Sequence, residues 1–429
     1  MILKVGMADI DLLNNGTRYP NLAQMKMSGW AKAQGHEVKL LMPEDLARLS
    51  DYDIILASKV FNYTPIPDEL MELIKRNTSE LDPLETRYRA VNEPSVAGTL
   101  KQLSDKKPDT TRILIGGTGF FEDGGRDLDT EIDQHMPDYE LYSEYVANKI
   151  KSGWKRSYFN DYFDCSMGFL TRGCFRKCSF CVNRKYDRAY VSTEDVSVFL
   201  KPGSKRIYLW DDNFLAIGRI KSIELLDKLI AADVPFQFRQ GLDIRLMSDE
   251  VAEKLLHCRY NGEFIFAFDH IQDREIIVEK LKLWRRHTPR RATFYVLCGF
   301  DARSHDPKYG INLDMPDEEK DLIDIGNTFE RIRILMEFGC IPYVMKHVLC
   351  RDSPYYGIYI QIARWCNQPN QFKKMSFEEF CLNQQNFIKS DKICASVRAL
   401  TLLREAVPDI YEKYAKCKFM YAGGIEPTD

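Results

Sequence analysis

The sequence predicts an α/β protein: an N-terminal doubly wound, Rossmann-like domain, a run of six strand–helix units, and a helical C-terminal extension. Three observations predict it. Short apolar runs alternate with helical patterns at intervals suited to parallel strands joined by crossovers. From Asp164 onward the alternation becomes regular, and each strand exits into polar or glycine residues. After a last strand at 342–349, Phe377 to Ala415 carries helical periodicity. The expected domains are 1–151, 152–350 and 351–429, in keeping with two or three domains for 429 residues.

In the first domain, Ile2–Ile10 reads as an apolar strand and Leu22–Gly35 as a helix closed by Gly35-His36. Glu37–Met42, Asp53–Ser58 and Arg112–Ile115 are the next strands, the last running into Gly116-Gly117-Thr118-Gly119. Thr78–Thr111 is polar, broken by Pro83, Pro94 and Pro108, and reads as loop; Ser152–Asp164 reads as a linker. The six later strands are Cys165–Leu170, Arg206–Trp210, Phe236–Phe238, Glu263–Phe268, Ala292–Leu297 and Pro342–Leu349. Helices are expected at Arg219–Ala232, Asp249–His257, Arg274–Arg286 and about 317–339.

Composition narrows the function classes. A net charge of −3 gives no global drive toward nucleic acid or an anionic membrane. No apolar run approaches the ~18 residues of a membrane span, and the N-terminus lacks the basic start and cleavage site of a signal peptide. Twelve cysteines without a secretory signal imply a reducing compartment, so a cytoplasmic protein is expected.

The chemistry concentrates in Gly173-Cys174-Phe175-Arg176-Lys177-Cys178-Ser179-Phe180-Cys181. Thiolates spaced Cys-x3-Cys-x2-Cys are soft ligands for iron and poorly placed for structural disulfides. Three of them leave one iron of a four-iron cluster open for a non-protein ligand. Zinc would want a fourth Cys or His nearby, and the next after Cys181 is His257.

That spacing resembles the radical S-adenosylmethionine superfamily. The resemblance implies a 4Fe-4S cluster on Cys174, Cys178 and Cys181, whose open iron chelates S-adenosylmethionine and whose electron releases a 5'-deoxyadenosyl radical. It implies an aromatic near the adenine, matched by Phe180, and a partial (β/α)6 TIM-type barrel for the six strand–helix units. Active sites of such barrels lie at the C-terminal ends of the strands. Those ends hold Asp211, Asp212 and Asn213, then Arg239, Gln240, Asp243 and Arg245, then Asp269. Asp212, Gln240, Asp243, Arg245 and Asp269 are the candidate cosubstrate contacts. The family's Gly-Gly-Glu is missing at the second exit, and Asp212 or Asp269 could equally cap the next helix. Cys298-Gly299-Phe300, at the fifth exit, offers a glycine to the adenine and a thiol that reads as structural. No catalytic side chain is assigned.

The first domain resembles the cobalamin-binding-like domain that precedes some members, in Pro20-Asn21-Leu22-Ala23, Gly35-His36-Glu37-Val38 and Gly116-Gly117. No Asp-x-His-x-x-Gly supplies a lower axial histidine, so cobalamin is the less favoured additional cofactor. Gly168–Cys174, Gln240–Met247, Pro342–Met345 and Ala363-Arg364-Trp365 extend the likeness to a group of bacterial and phage radical S-adenosylmethionine proteins, which names no reaction. The methylthiotransferase branch is excluded, because no cysteine precedes Cys165. The expected function is reductive cleavage of S-adenosylmethionine to act on an unidentified substrate, with a low-potential donor such as flavodoxin or ferredoxin as partner. A cobalamin-dependent methyltransferase and a non-catalytic iron–sulfur regulatory protein are the alternatives. Cys350, Cys366, Cys381, Cys394 and Cys417 form no tight pair, so a second cluster is not favoured. The basic run 284–291 reads as a solvated helix end.

Overall fold

A computed structural model describes residues 1–16, 19–77, 95–121, 124–304, 314–388 and 392–419. Two compact units make it up: Met1–Asp212 with Asp227–Phe236, and Asn213–Leu226 with Gln237–Asp429.

The first unit opens with four parallel strands, β1 (Lys4–Asp9), β2 (Glu37–Leu40), β3 (Ile54–Ser58) and β4 (Arg112–Gly116), in the order β2-β1-β3-β4. Register runs Val5↔Ile54 and Ile54↔Arg112. β1 and β3 are apolar nearly throughout because both faces of the sheet are covered. Val5, Met7 and Leu56 pack on one side against Met25, Trp30, Ala97 and Leu100. Ala8, Ile55 and Ala57 pack on the other against Leu70, Leu73 and Ile74. The helix Leu22–Ala33 starts where Asn21 accepts from the Gln24 N–H. Thr78–Thr111 is not all loop: Val96–Asp105 is a helix capped by Ser95, buried through Ala97 and Leu100, while 78–94 lie outside the described residues.

Residues 152–164 are no linker either. A 3₁₀ turn, Arg156–Phe159, runs into the helix Asn160–Phe163, and Phe159 and Tyr162 are buried in the same core as β1. Their aromatic weight, read as linker composition, is packing. A second tie follows from Asp138 and Tyr139. Asp138 accepts from Ser28 Oγ at 2.6 Å, and Tyr139 Oη donates to Phe199 O at 2.6 Å and accepts from Met167 N–H at 3.0 Å.

β5 (Cys165–Gly168) leads into β6 (Thr171–Arg172), which pairs antiparallel with β7 (Tyr190–Val191). β5 also pairs in parallel with β8 (Arg206–Leu209) in the register Cys165↔Arg206. On the far edge of β8, Ile207 N–H reaches Pro235 O at 2.8 Å, just before β9 (Phe236–Phe238).

In the second unit, β10 (Phe264–Ala267), β11 (Ala292–Cys298) and β12 (Ile341–Lys346) form a parallel sheet in that order, and Leu242 bridges in parallel to Phe266. The helices Asp249–His257, Arg274–His287 and Asp317–Glu337 fall where the periodicity places them. The basic run is spent on helix ends: Arg285 donates to Phe338 O and Arg290 O, and His287 pairs with Asp249. The extension is helical at Tyr356–Cys366, Phe377–Gln385 and Ala395–Ala406. The protein is mixed α/β with parallel sheets, and no helix among the described residues is long and apolar enough to cross a membrane.

Candidate metal and cosubstrate site

The cysteine loop is the excursion between β6 and β7, so its ends are tied by ribbon pairing. Cys174, Cys178, Phe180 and Cys181 are all half-buried, and all twelve cysteines are thiols. The loop turns where it must. Gly173 has φ +81°, and a side chain there would meet Arg188 O at 2.5 Å and the Tyr186 ring at 3.1 Å. Lys177 also takes a positive φ, 53°. Its ammonium crosses the loop to Arg184 O at 2.9 Å and Asp187 at 2.6 Å. Cys181 N–H closes a turn onto Cys178 O at 2.9 Å.

Two carboxylates at the exit of β8 hold this loop. Asp211 accepts from Thr171 N–H at 2.6 Å, Thr171 Oγ1 at 2.7 Å and Leu170 N–H at 3.2 Å. Burial raises its carboxyl to about 6, against those hydrogen bonds. Asp212 receives Gly173 N–H at 2.7 Å on one oxygen and Asn183 Nδ2 at 3.0 Å on the other. It thereby joins the residue before Cys174 to the second residue after Cys181. Burial raises its carboxyl as well. Asp211 and Asp212, the latter a candidate cosubstrate contact, are thus both built into the loop's frame.

The residues fit an iron–sulfur cluster in donor type: three half-buried thiols on one loop. Among the described residues, no three His, Cys, Asp or Glu side chains are gathered into a ready coordination shell.

The other candidates lie in the second unit. Asp243 caps the turn Ile244–Leu246 and is forked by Arg245, Nε at 2.7 Å and Nη2 at 3.1 Å. Arg245 Nη1 also reaches Asp273 at 2.5 Å. Asn213 Nδ2 is 3.5 Å from Asp243. Gln240 is exposed. Asp269 accepts from Leu297 N–H at 3.1 Å, tying the exit of β10 to β11, and burial raises its carboxyl against His270 and Arg331. Gly299 stands against Cys350, where a side chain would come within 2.3 Å of its Cβ. This packing explains the glycine expected beside the adenine. Burial holds the Cys298 thiol well above its ordinary range, as befits a structural residue.

Sequence reasoning missed two groups here. His270 Nδ1 lies 3.0 and 3.1 Å from the two oxygens of Asp301, both residues buried, at the exits of β10 and β11. Position was the available signal: His270 follows Asp269 directly, and Asp301 follows Cys298-Gly299-Phe300. Arg331, on the helix Asp317–Glu337 and 1% exposed, donates to Phe268 O, Asp269 O and Leu297 O. One guanidinium therefore stitches two strand ends, which a mid-helix arginine in the sequence does not announce.

In the first unit the Gly116–Gly119 turn is held against the residue that follows β3, with Gly119 N–H on Lys59 O at 2.8 Å and Lys59 N–H on Gly116 O at 3.1 Å. The polar residues buried at the ends of β1 and β3 are Asp9, Ser58 and Lys59.

No family model matches the chain, and no curated protein matches it. Among solved structures the chain is similar to OxsB, a cobalamin-dependent S-adenosylmethionine radical enzyme with aqua-cobalamin and S-adenosylmethionine bound. Identity is 13%, coverage is 98% of this chain and 64% of that one, and the TM-score is 0.34. So distant a superposition carries no argument about the site, which rests on the residues above. In its cysteine motif the chain is similar to radical S-adenosylmethionine enzymes.

Proposed function

We propose that the chain is a radical S-adenosylmethionine enzyme acting on a peptide, a nucleotide or a small metabolite. The observation that carries the reading is the Cys-x3-Cys-x2-Cys spacing on a loop whose two flanks meet on one carboxylate, Asp212. A 4Fe-4S cluster on Cys174, Cys178 and Cys181, when bound, would supply the electron that cleaves the sulfonium, drawn from a donor such as flavodoxin or ferredoxin.

The chain's own residues would do the rest. Phe180, next to Cys181, offers its ring to the adenine. Asp243 and the exposed Gln240 would offer themselves to ribose hydroxyls, and Arg245, which also holds Asp243, to the methionine carboxylate. Asp269 shapes the fourth exit through Leu297 N–H. The partial (β/α)6 barrel that the resemblance implies for the six strand–helix units would keep water and stray hydrogen donors from the reacting groups.

Anaerobic reconstitution with iron and sulfide, then dithionite and S-adenosylmethionine, tests the reading by chromatography of 5'-deoxyadenosine. Formation well above that of a Cys174/Cys178/Cys181 triple-alanine variant is expected. A stable cluster with no 5'-deoxyadenosine would return the chain to the non-catalytic iron–sulfur class.

A further inference from the structure

We propose that the first α/β layer positions the cysteine loop, through Asp133 and Asp127 gripping its two flanks. The inference rests on reading that loop as a cluster site, and it gives the stretch after β4 a task in that site. Both carboxylates lie in the stretch that follows β4, far in sequence from the cysteines.

On the near flank, Asp133 Oδ1 accepts from Arg172, two residues ahead of Cys174, at 3.0 Å, and from Lys26 at 2.7 Å. Its Oδ2 accepts from Ser192, just past β7, at 2.9 Å. Three donors from three separate stretches converge on a carboxylate 14% exposed, and the Lys26 side chain is 3% exposed. Arg172 is fixed from its other side too, its guanidinium 3.4 Å from the centroid of the Phe169 ring.

On the far flank, Asp127 accepts from Lys185 at 2.8 Å and from Tyr186 Oη at 2.6 Å. Lys185 also donates to Gly125 O at 2.7 Å. The Tyr186 ring and Arg188 O are what a side chain on Gly173 would meet, so the far flank packs on the turn that opens the near one. Neither aspartate reaches a sulfur; each acts through the loop it holds. Partners one step removed from metal ligands commonly govern metal affinity because they fix ligand orientation. Asp133 also pairs with two cations, so its charge contributes to the field at the start of the loop.

The test uses the full chain and the variants Asp133→Asn, Asp133→Glu, Asp127→Asn and Ser192→Ala, reconstituted anaerobically with ferrous iron and sulfide. The readouts are iron and sulfide content, resistance to a chelator, and the EPR spectrum and midpoint potential of the dithionite-reduced cluster. Folded Asp133→Asn is expected to lose its cluster at about ten-fold lower chelator concentration, with a shifted EPR spectrum, and Asp133→Glu to recover part of the loss. Should Asp133→Asn fail to fold, Asp127→Asn and Ser192→Ala decide, since both leave Lys26 and Arg172 paired with Asp133. Folded variants with wild-type chelator resistance, EPR spectrum and potential would overturn the positioning role. A wild-type chain that takes up no cluster would overturn the reading of the loop itself, a separate outcome.

Discussion

Replacing Asp212 separates two roles for the acidic pair after β8. If Asp212 frames the loop, Asp212→Ala removes the acceptor of Gly173 N–H and of Asn183 Nδ2, at 2.7 and 3.0 Å. Hydrogen bonds to a charged acceptor contribute about 1.5–3 kcal/mol each. Burial works against the carboxylate, as its raised carboxyl records, so the net cost falls below their sum. A destabilisation on the order of 3 kcal/mol follows, which for a unit of this size lowers Tm by about 10 °C. Asp212→Asn keeps an oxygen for Gly173 N–H, and a flipped Asn183 can still meet the new amide, so its cost should stay within about 1 kcal/mol. The assay is thermal unfolding of the two variants alongside iron content after reconstitution and S-adenosylmethionine binding by calorimetry. The expected order is alanine far below asparagine in both Tm and iron content. An alanine variant with wild-type Tm and iron but weakened S-adenosylmethionine binding would refute the framing role and return Asp212 to the cosubstrate.

Other outcomes follow from the same geometry. Gly173→Ala must place a side chain against Arg188 O at φ +81°, so a loss of about 1–3 kcal/mol and a lower iron content are expected; unchanged iron would count against a fixed turn. Asp9 is buried and its carboxyl sits at about 6 against an ordinary 3.8, desolvation outweighing its hydrogen bonds from Tyr142 and Leu12. Its folded value is raised, so the stability it contributes is complete below about pH 4 and lost as pH rises through 6. Asp9→Asn should therefore raise Tm at pH 8 relative to the wild type and not at pH 4; the reverse pattern would refute the assignment. Arg331→Met leaves Phe268 O, Asp269 O and Leu297 O without their shared donor. It should cost about 3–5 kcal/mol in a urea melt, and a near-neutral result would mean that water replaces the guanidinium.

Local patterns were legible in the sequence to the extent that the chain itself enforces them. The helix Asp249–His257 falls on its expected residues because Ser248 caps it and its apolar spacing is regular. The ends of β1 and β3 fall within two residues of expectation because strands buried on both faces read as continuous apolar runs. Composition misled at 152–164, where tyrosines and phenylalanines look like linker residues until the core that takes them is known. The cysteine spacing is contiguous and could be read directly. Asp133 with Arg172, His270 with Asp301, and Arg331 with two strand ends pair residues 31 to 63 positions apart, and only the folded backbone brings them together. Asp212 shows the subtler limit: its place after a strand was evident, yet whether it faces a ligand or its own loop depends on where Gly173 and Asn183 come to lie.

The ties made by Asp138 and Tyr139 bear on how this chain can be recombined. Ser28, Met25, Met167 and Phe199 all meet those two residues by hydrogen bond, so the stretch is shared between the opening sheet and β5. A chimera that exchanges the opening sheet for that of a relative would have to carry 124–142 with it, and to match Phe199 and Met167 on the receiving side. Native-state hydrogen exchange should then find β1, β3 and β5 opening as one cooperative block, with no separate melting of the sheet that comes first in the chain.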